Sequence, residues 1–437
     1  MDILLIFFIF IVCMAASLLL DLSMLVPLLI GLLLFSAAAL RRGFTCRALL
    51  GMIGGSLHDS FLVIGILLLV GCLTGLWRAS GTIASFVTIG VKAMPKSLFL
   101  LAAFLLGALM SFAFGTSFGV TATAGVILMT IARAGGVPPV PAAGAILSGV
   151  YVGDRGSPAA SSANLVAVLT HTDITRNIRL MLKSSLLPFL LCCLVYGVLA
   201  VFFPMKSVDA KALGQLEEEF TLGYVCLIPA ALMILLPLLK VNIKLSMLVS
   251  IIASVILAMS AQSLRFLDCL KVMLFGFTPK NKALTEMLSG GGIVSMAEVC
   301  GILFLSGSYG GIFRKTGMLS PLTEKLKQLS VKVGRYGTML LLSVGVCAVF
   351  CNQTIGAIMQ SQLSAALYGD DEEEKYAKMM DMEDTVILIA GLVPWCIASS
   401  VPLTMLDADL RSLPFAFYLW LVPLCSGLKK SLSRKLR

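Results

Sequence analysis

A chain of 437 residues that is 59% hydrophobic and only 13% charged cannot assemble a water-soluble surface, because ordinary soluble domains carry about 25% charged residues. Its net charge of +10, from 33 basic against 23 acidic residues, would suggest a nucleic-acid partner in a soluble protein. Here the basic residues flank apolar runs, as the excess of Lys and Arg in cytoplasmic loops produces, so the composition describes a polytopic protein of the cell membrane and assigns it no nucleic acid.

The runs are continuous, as in Ile3 to Leu20 and Phe61 to Trp77, whereas membrane barrel strands alternate with period two in segments of about ten. The predicted class is therefore all-α. At roughly 20 residues per crossing, about ten to twelve helices fit. The first run lacks a basic segment before it and is followed after Asp21 by a second, so the two are read as a retained hairpin over residues 1–47 and not as a cleaved leader. Arg41, Arg42 and Arg47 place the end of the second helix, and hence the N-terminus, in the cytoplasm. His58 with Asp59 is expected to cap the following helix at the interface.

A first repeat is expected over 48–204 and a second over 283–428, joined by a loop and connecting helices over 205–282. The segment from Gly71 through Gly75, Trp77, Arg78 and Ser80 to Gly81 aligns without a gap with Gly307, Gly311, Phe313, Arg314, Thr316 and Gly317. Ser117-Phe-Gly119 lies beside Thr354-Ile-Gly356 at nearly the same offset. Two matches in one order indicate an internal repeat, here read as inverted, and an internally repeated many-helix membrane protein carries the signature of a secondary transporter with its site near the midplane.

Polar residues inside apolar sequence mark where that site belongs, since irregular backbone survives in the hydrocarbon only where it is packed or lines a cavity. Phe114-Gly-Thr116-Ser117-Phe-Gly119 loosens a helix with glycines and offers hydroxyls to a cation; close packing of small residues is the competing account. Gly153-Asp154-Arg155-Gly156-Ser157-Pro158, continuing through Ser161 and Ser162 to Asn164, cannot form a lipid-facing helix and is predicted to be an unwound break, with an Asp154–Arg155 ion pair as the bland alternative. The polar stretches Met205 to Phe220 and Gly369 to Asp384 are read as solvated loops, including Glu217 to Glu219 and Glu372 to Glu374. Glu298 either carries a proton or caps a helix N-terminus.

Asn352-Gln353-Thr354 is the counterpart of the first break. Glu383-Asp384-Thr385 through Pro394-Trp395, with Ser399 and Ser400, is read as the counterpart of the second. The tail 429–437, basic at Lys429, Lys430, Arg434, Lys435 and Arg437, is placed in the cytoplasm. The 12 cysteines, among them Cys192, Cys193, Cys226 and Cys347, form no C-x-x-C pair and are read as small hydrophobes, so no cofactor or resident metal is expected.

Gly71 to Thr82, Gly115 to Gly119, Gly153-Asp154-Arg155-x-Ser157-Pro158 with Asn164, and Glu383-Asp384 followed by Pro394-Trp395 together resemble the NhaC family of sodium/proton antiporters. The likeness runs from about Leu49 to about Thr404. It implies the ion transporter class, with two inverted repeats whose broken helices and re-entrant hairpins meet at the transport site, and exchange of sodium for protons, with some relatives carrying organic anions or amino acids. The chain departs from the family pattern where an aspartate is expected, at Ser161, and a threonine, at Ala163. It departs again at Val386, Ile387, Leu388, Ile389 and Cys396.

The expected function is thus sodium (cation)/proton antiport by alternating access. The transport site is drawn from Asp154, Ser157, Ser161, Ser162, Asn164, Thr116, Ser117, Asn352, Gln353 and Thr354, and Asp154, Glu298 or Asp384 carries the proton. The alternative is a coupled transporter or exchanger of a small amino acid or carboxylate on the same fold. The partners are the transported species, protons and lipid, with a homodimer allowed. An enzyme is not expected: Tyr151 occupies the glycine place of an intramembrane aspartyl motif, no Tyr-Asp pair supplies a second aspartate, and no G-x-S-G or H-E-x-x-H occurs.

Overall fold

The structure, a computed structural model, describes residues 3–20, 22–93, 96–206, 210–239, 241–281, 284–316 and 320–435. Among them the secondary structure is helical, apart from a single isolated bridge between Phe277 and Gly290. The first half holds α1 (Ile3–Leu19), α2 (Leu25–Arg41), α3 (Cys46–Ala79), α4 (Thr82–Ala93), α5 (Phe99–Phe114), α6 (Ser117–Val120), α7 (Val126–Ala134), α8 (Pro139–Gly156), α9 (Ser161–Thr170) and α10 (Ile174–Phe202). The middle holds α11 (Ala210–Glu219), α12 (Ile228–Leu238), α13 (Ile243–Ser260), α14 (Phe266–Phe275) and α15 (Thr285–Leu288). The second half holds α16 (Ala297–Thr316), α17 (Ser320–Phe350), α18 (Gln353–Leu363), α19 (Glu372–Asp384), α20 (Val386–Ile389), α21 (Ile397–Met405) and α22 (Phe417–Lys435).

Among the described residues five helical stretches are long and apolar enough to cross a membrane, or six if the pair Ile64–Ala79 and Thr82–Ile89, bent by 65°, is one span. Five shorter apolar helices accompany them. The count falls short of the ten to twelve full spans expected because α5, α9, α18 and α21 stop at breaks after 16 residues or fewer, and α8, at 18 residues, is rich in glycine and ends in the polar Asp154-Arg155 turn. On α10, Leu186, Leu190, Leu194, Val198 and Val201 point outward, all exposed. Such a face suits acyl chains and not water, and the chain is a multi-pass helical membrane protein.

The hairpin of α1 and α2 docks on α16 through an aromatic cluster. Phe35 packs on Phe313 at 4.8 Å and on Tyr309 at 5.5 Å between ring centroids, and Phe10 meets Tyr309 at 5.8 Å. The Tyr309 hydroxyl donates to the Leu28 carbonyl. Edge-to-face pairs of this kind add about 0.5–1.5 kcal/mol each beyond the area they bury.

The two polar stretches read as loops are helices instead, α11 and α19. Glu372, Glu373 and Glu374 occupy the first turn of α19, where the unpaired N–H groups favour anions, and long-range pairs Arg176–Glu372 and Arg335–Glu374 hold them. The Arg335 guanidinium holds the Glu374 carboxyl below the usual carboxylate range. The far end of α19 turns inward, and Asp381, Glu383 and Asp384 are buried.

Backbone conformations recur 236 residues apart. Gly115 and Cys351 are both left-handed (φ 65 and 53), and so are His171 and Asp407 (φ 53 and 50). Thr116 (φ −145, ψ 120) and Asn352 (φ −144, ψ 126) are extended N-caps whose side chains accept from the backbone N–H three residues on. Ala160 (φ −69, ψ 130) and Cys396 (φ −71, ψ 140) open α9 and α21, each two residues after a proline.

Gly115 joins two of these breaks. Its backbone is left-handed, and a Cβ there would lie 2.6 Å from Ala160 N. The left-handed conformation alone costs an L-residue roughly 1–2 kcal/mol, and the clash adds to it. Gly115→Ala is expected to destabilise the detergent-purified protein by at least about 2 kcal/mol, read as a lowered thermal midpoint; an unchanged midpoint would mean that the two breaks do not pack as described.

Candidate functional site

The centre is assembled by close helix packing. α8 carries Gly149 and Gly153 on the face that meets α5. A Cβ at Gly149 would lie 2.5 Å from the Phe104 carbonyl oxygen, and one at Gly153 would run into the Ser111 backbone. The approach is fastened by Ser111, whose hydroxyl donates to the Val150 carbonyl, and by Ser157, whose hydroxyl donates to the Phe112 carbonyl at 2.7 Å. The ends of α5 and α8 are thereby held side by side. In the second half, Ile397 N–H donates to the Cys351 carbonyl at 2.9 Å and Trp395 Nε1 to the Ala348 carbonyl at 2.8 Å, tying the break before α21 to the end of α17. Tyr151 Oη reaches across to the Ala398 carbonyl at 2.6 Å. That closeness requires Gly391, where a Cβ would sit 2.7 Å from the tyrosine ring.

Asp154 stands where these pieces converge, in the last turn of α8 and 4% exposed. Gln353, the first residue of α18, donates Nε2 to its Oδ2 at 3.0 Å and to the freed Ile387 carbonyl at 2.9 Å. Ser117, the first residue of α6, and Ser162 lie beside the same carboxylate. The Ser162 hydroxyl donates to the Asp154 carbonyl. Two helix N-termini, the positive ends of their dipoles, therefore face one carboxylate. No described cationic side chain forms an ion pair with it.

Arg155 points the other way. It is fully buried and pairs with Asp384, 1% exposed, while its NH groups also reach Ser184 Oγ at 2.9 Å and the Met181 carbonyl at 3.2 Å. The ion pair anticipated between neighbours thus forms with a residue 229 positions away. Glu383, next to Asp384, is 0% exposed and neither carboxylate oxygen has a hydrogen-bond partner among the described residues. Its electrostatic neighbours are Arg155, Asp154 and Asp384. Close to the α21 N-terminus, the Ser399 and Ser400 hydroxyls are likewise unpartnered. Among the described residues Glu383 and Asp384 thus share one guanidinium, and Asp154 has none.

Asp154, Ser117, Ser162 and Gln353 come together as the candidate site. Ser157, Thr116, Asn352 and Asn164 serve the backbone at its edges: Asn164 Nδ2 donates to the Pro158 and Ala160 carbonyls at 3.0 and 2.7 Å. Ser161 and Thr354 are exposed. Glu298 lies apart, exposed in the first turn of α16, where it accepts from Ser23 Oγ at 2.7 Å beside a separate cavity of about 430 Å³. The side chains of His58 and Asp59, and all of Gly317, lie outside the described residues.

Sequence reasoning offered Asp154, Glu298 or Asp384 as the titratable acid and did not single out Glu383. Successive helical residues point about 100° apart, so Glu383 and Asp384 meet different surroundings, and only a signal for which face Arg155 occupies would have separated them. Oxygen-rich, carboxylate-bearing and closed to bulk water, the arrangement suits a hard cation or protons.

The model of the Na+/H+ antiporter family matches residues 149–426, which includes Asp154, Arg155, Gln353, Glu383 and Asp384. The Na(+)/H(+) antiporter NhaC of Bacillus subtilis is 26% identical over 96% of this chain and 95% of its own length. The Malate-2H(+)/Na(+)-lactate antiporter of the same organism is 27% identical over 86% of this chain and 82% of its own length. The arginine/ornithine antiporter ArcD of Halobacterium salinarum is 24% identical over 81% and 75%. With the family's model spanning well over half of its length, the chain belongs to the Na+/H+ antiporter family.

Proposed function

We propose that the protein exchanges sodium for protons across the cell membrane by alternating access, with Asp154 and Glu383 as the groups that bind the cation and the proton in turn. The observation that carries this reading is the charge imbalance at the centre: Asp154, Glu383 and Asp384 are buried, and among the described residues the one ion pair any of them makes is Arg155–Asp384. An uncompensated buried charge costs several kcal/mol, so the two remaining carboxylates are neutralised either by protons or by a cation. That exclusivity is the coupling. Ser117 and Ser162, with the unpartnered hydroxyls of Ser399 and Ser400, add neutral oxygen ligands. Glu383 supplies the second acid that the family pattern carries at the Ser161 position.

The recurrence of broken backbone 236 residues apart supports two repeats, over 48–204 and 283–428, that we read as inverted with the site between them. Basic residues at Arg41, Arg42 and Lys429 support cytoplasmic termini.

The buried apolar run Val386 to Ile389 beside the site favours a second reading, in which a small organic solute replaces sodium, as the names of two relatives indicate for those proteins. An organic carboxylate would need a buried cation, yet Arg155 is committed to Asp384. Proteoliposomes carrying a pH gradient separate the two. Collapse of the gradient on adding sodium, with no response to malate, lactate, arginine or ornithine, is expected. Collapse by one of those solutes and not by sodium would replace the first reading with the second.

A further inference from the structure

A cavity of about 1050 Å³ opens between α17, α19 and α22, on the face that carries the C-terminal basic segment. Its walls include Arg335, Tyr336, Ala377, Asp381, Gly427 and Lys430. α17 makes room for it by breaking at Gly334, where the backbone is extended and left-handed in φ (φ 79, ψ 164). Asp381, almost wholly buried at the cavity floor, accepts from Tyr368 Oη at 2.6 Å and from Lys430 Nζ. Lys430 itself is 39% exposed and lies 4.4 Å from the centre of the Tyr336 ring.

This floor is close to the transport site. Asp381 is one turn before Asp384 on α19, so the two acids share a helix face, and each is an electrostatic neighbour of the other. Tyr336, in the cavity wall, has Asp384, Asp381 and Arg155 as its electrostatic neighbours. Tyr336 thus neighbours both the cavity and the Arg155–Asp384 pair, and Glu383 lies between Asp381 and Asp384 on the same helix. An open cavity ending on a buried carboxylate that holds a partly exposed, tethered ammonium has the form of a binding station with a removable plug.

We propose that this cavity is the vestibule through which the cation reaches Glu383 and Asp154, that Asp381 is the first carboxylate it meets, and that Lys430 occupies Asp381 until an arriving cation displaces it. The proposal rests on the exchange reading above. A charged funnel raises local ion concentration and on-rate by about tenfold or more, so Asp381 acts on access and not on the exchange step.

Two measurements on the full chain in proteoliposomes test it. Asp381→Asn is expected to raise the KM for sodium by about tenfold with kcat near that of the wild type; an unchanged KM, or a loss confined to kcat, overturns the proposal. Because that variant takes from Lys430 and Tyr368 their shared buried acceptor, Ala377→Cys provides an independent arm. Modification by a cationic methanethiosulfonate from the side of the C-terminal tail is expected to cut exchange about tenfold. Wild-type protein treated in parallel accounts for Cys46, the exposed native thiol. Full exchange by Ala377→Cys protein shown by mass to carry the label on its introduced thiol would make the cavity a lipid-filled crevice and sink the vestibule. Untreated wild type that moves no protons with sodium would instead count against the antiport reading itself.

Discussion

Asp154→Asn abolishes sodium-driven proton movement in proteoliposomes, by about 100-fold or more, and leaves the purified protein as thermally stable as the wild type. Removing one member of a buried charge pair costs about 3–5 kcal/mol, and each 1.4 kcal/mol is about a factor of ten in affinity. A neutral amide retains the shape, and its oxygen still accepts from Gln353 Nε2. It takes away a buried charge that no described cation offsets, so no stability is lost. Glu383→Gln behaves alike, whereas Glu298→Gln, at its exposed place beside Ser23, exchanges as the wild type does. Initial rates of sodium-induced alkalinisation and the thermal midpoint decide the matter. Normal exchange by Asp154→Asn, or a large fall in its midpoint, would make Asp154 a structural group.

Arg155→Met produces the opposite pattern, a folding defect. It strands Asp384 in a site from which water is excluded, at a cost of about 3–5 kcal/mol, and frees Ser184, Ser185 and the Met181 carbonyl from their shared donor. Little folded protein should be recovered. Replacing both partners, Arg155→Met with Asp384→Leu, restores much of the loss, because an apolar pair of similar volume carries no desolvation cost. The yield of monodisperse protein and its thermal midpoint measure both. A single variant as stable as the wild type would show that the pair is dispensable, and with it the charge arithmetic of the site.

The breaks were legible in the sequence because they are written in residues with local consequences. Gly115 as a glycine adopts a left-handed turn without strain, Thr116 and Asn352 cap, and Pro158 and Pro394 cannot continue a helix. The convergence of Asp154, Ser117, Ser162 and Gln353 followed from treating those breaks as inward-facing. What local reasoning missed is long-range. Arg155 and Asp384 are separated by 229 residues, and nothing near either residue specifies the other. Glu383 could not be told from Asp384 without knowing which face of α19 turns to α8. The acidic stretches were taken for loops because their local character is polar throughout; Arg176 and Arg335, distant in the chain, pair with Glu372 and Glu374 in the first turn of α19. The hydroxyls at Ser161 and Thr354 illustrate the converse, since residue type placed them in the site and the structure leaves both exposed, each in the first turn of its helix.

The most direct test is proton release on cation binding. Sodium added to the detergent-solubilised protein in weakly buffered solution should displace protons from Asp154 and Glu383, so the medium acidifies saturably, and the signal should vanish in Asp154→Asn/Glu383→Gln while persisting in Glu298→Gln. Saturable sodium binding without acidification, or acidification that survives in the double variant, would show that these two carboxylates are not where cation and proton compete.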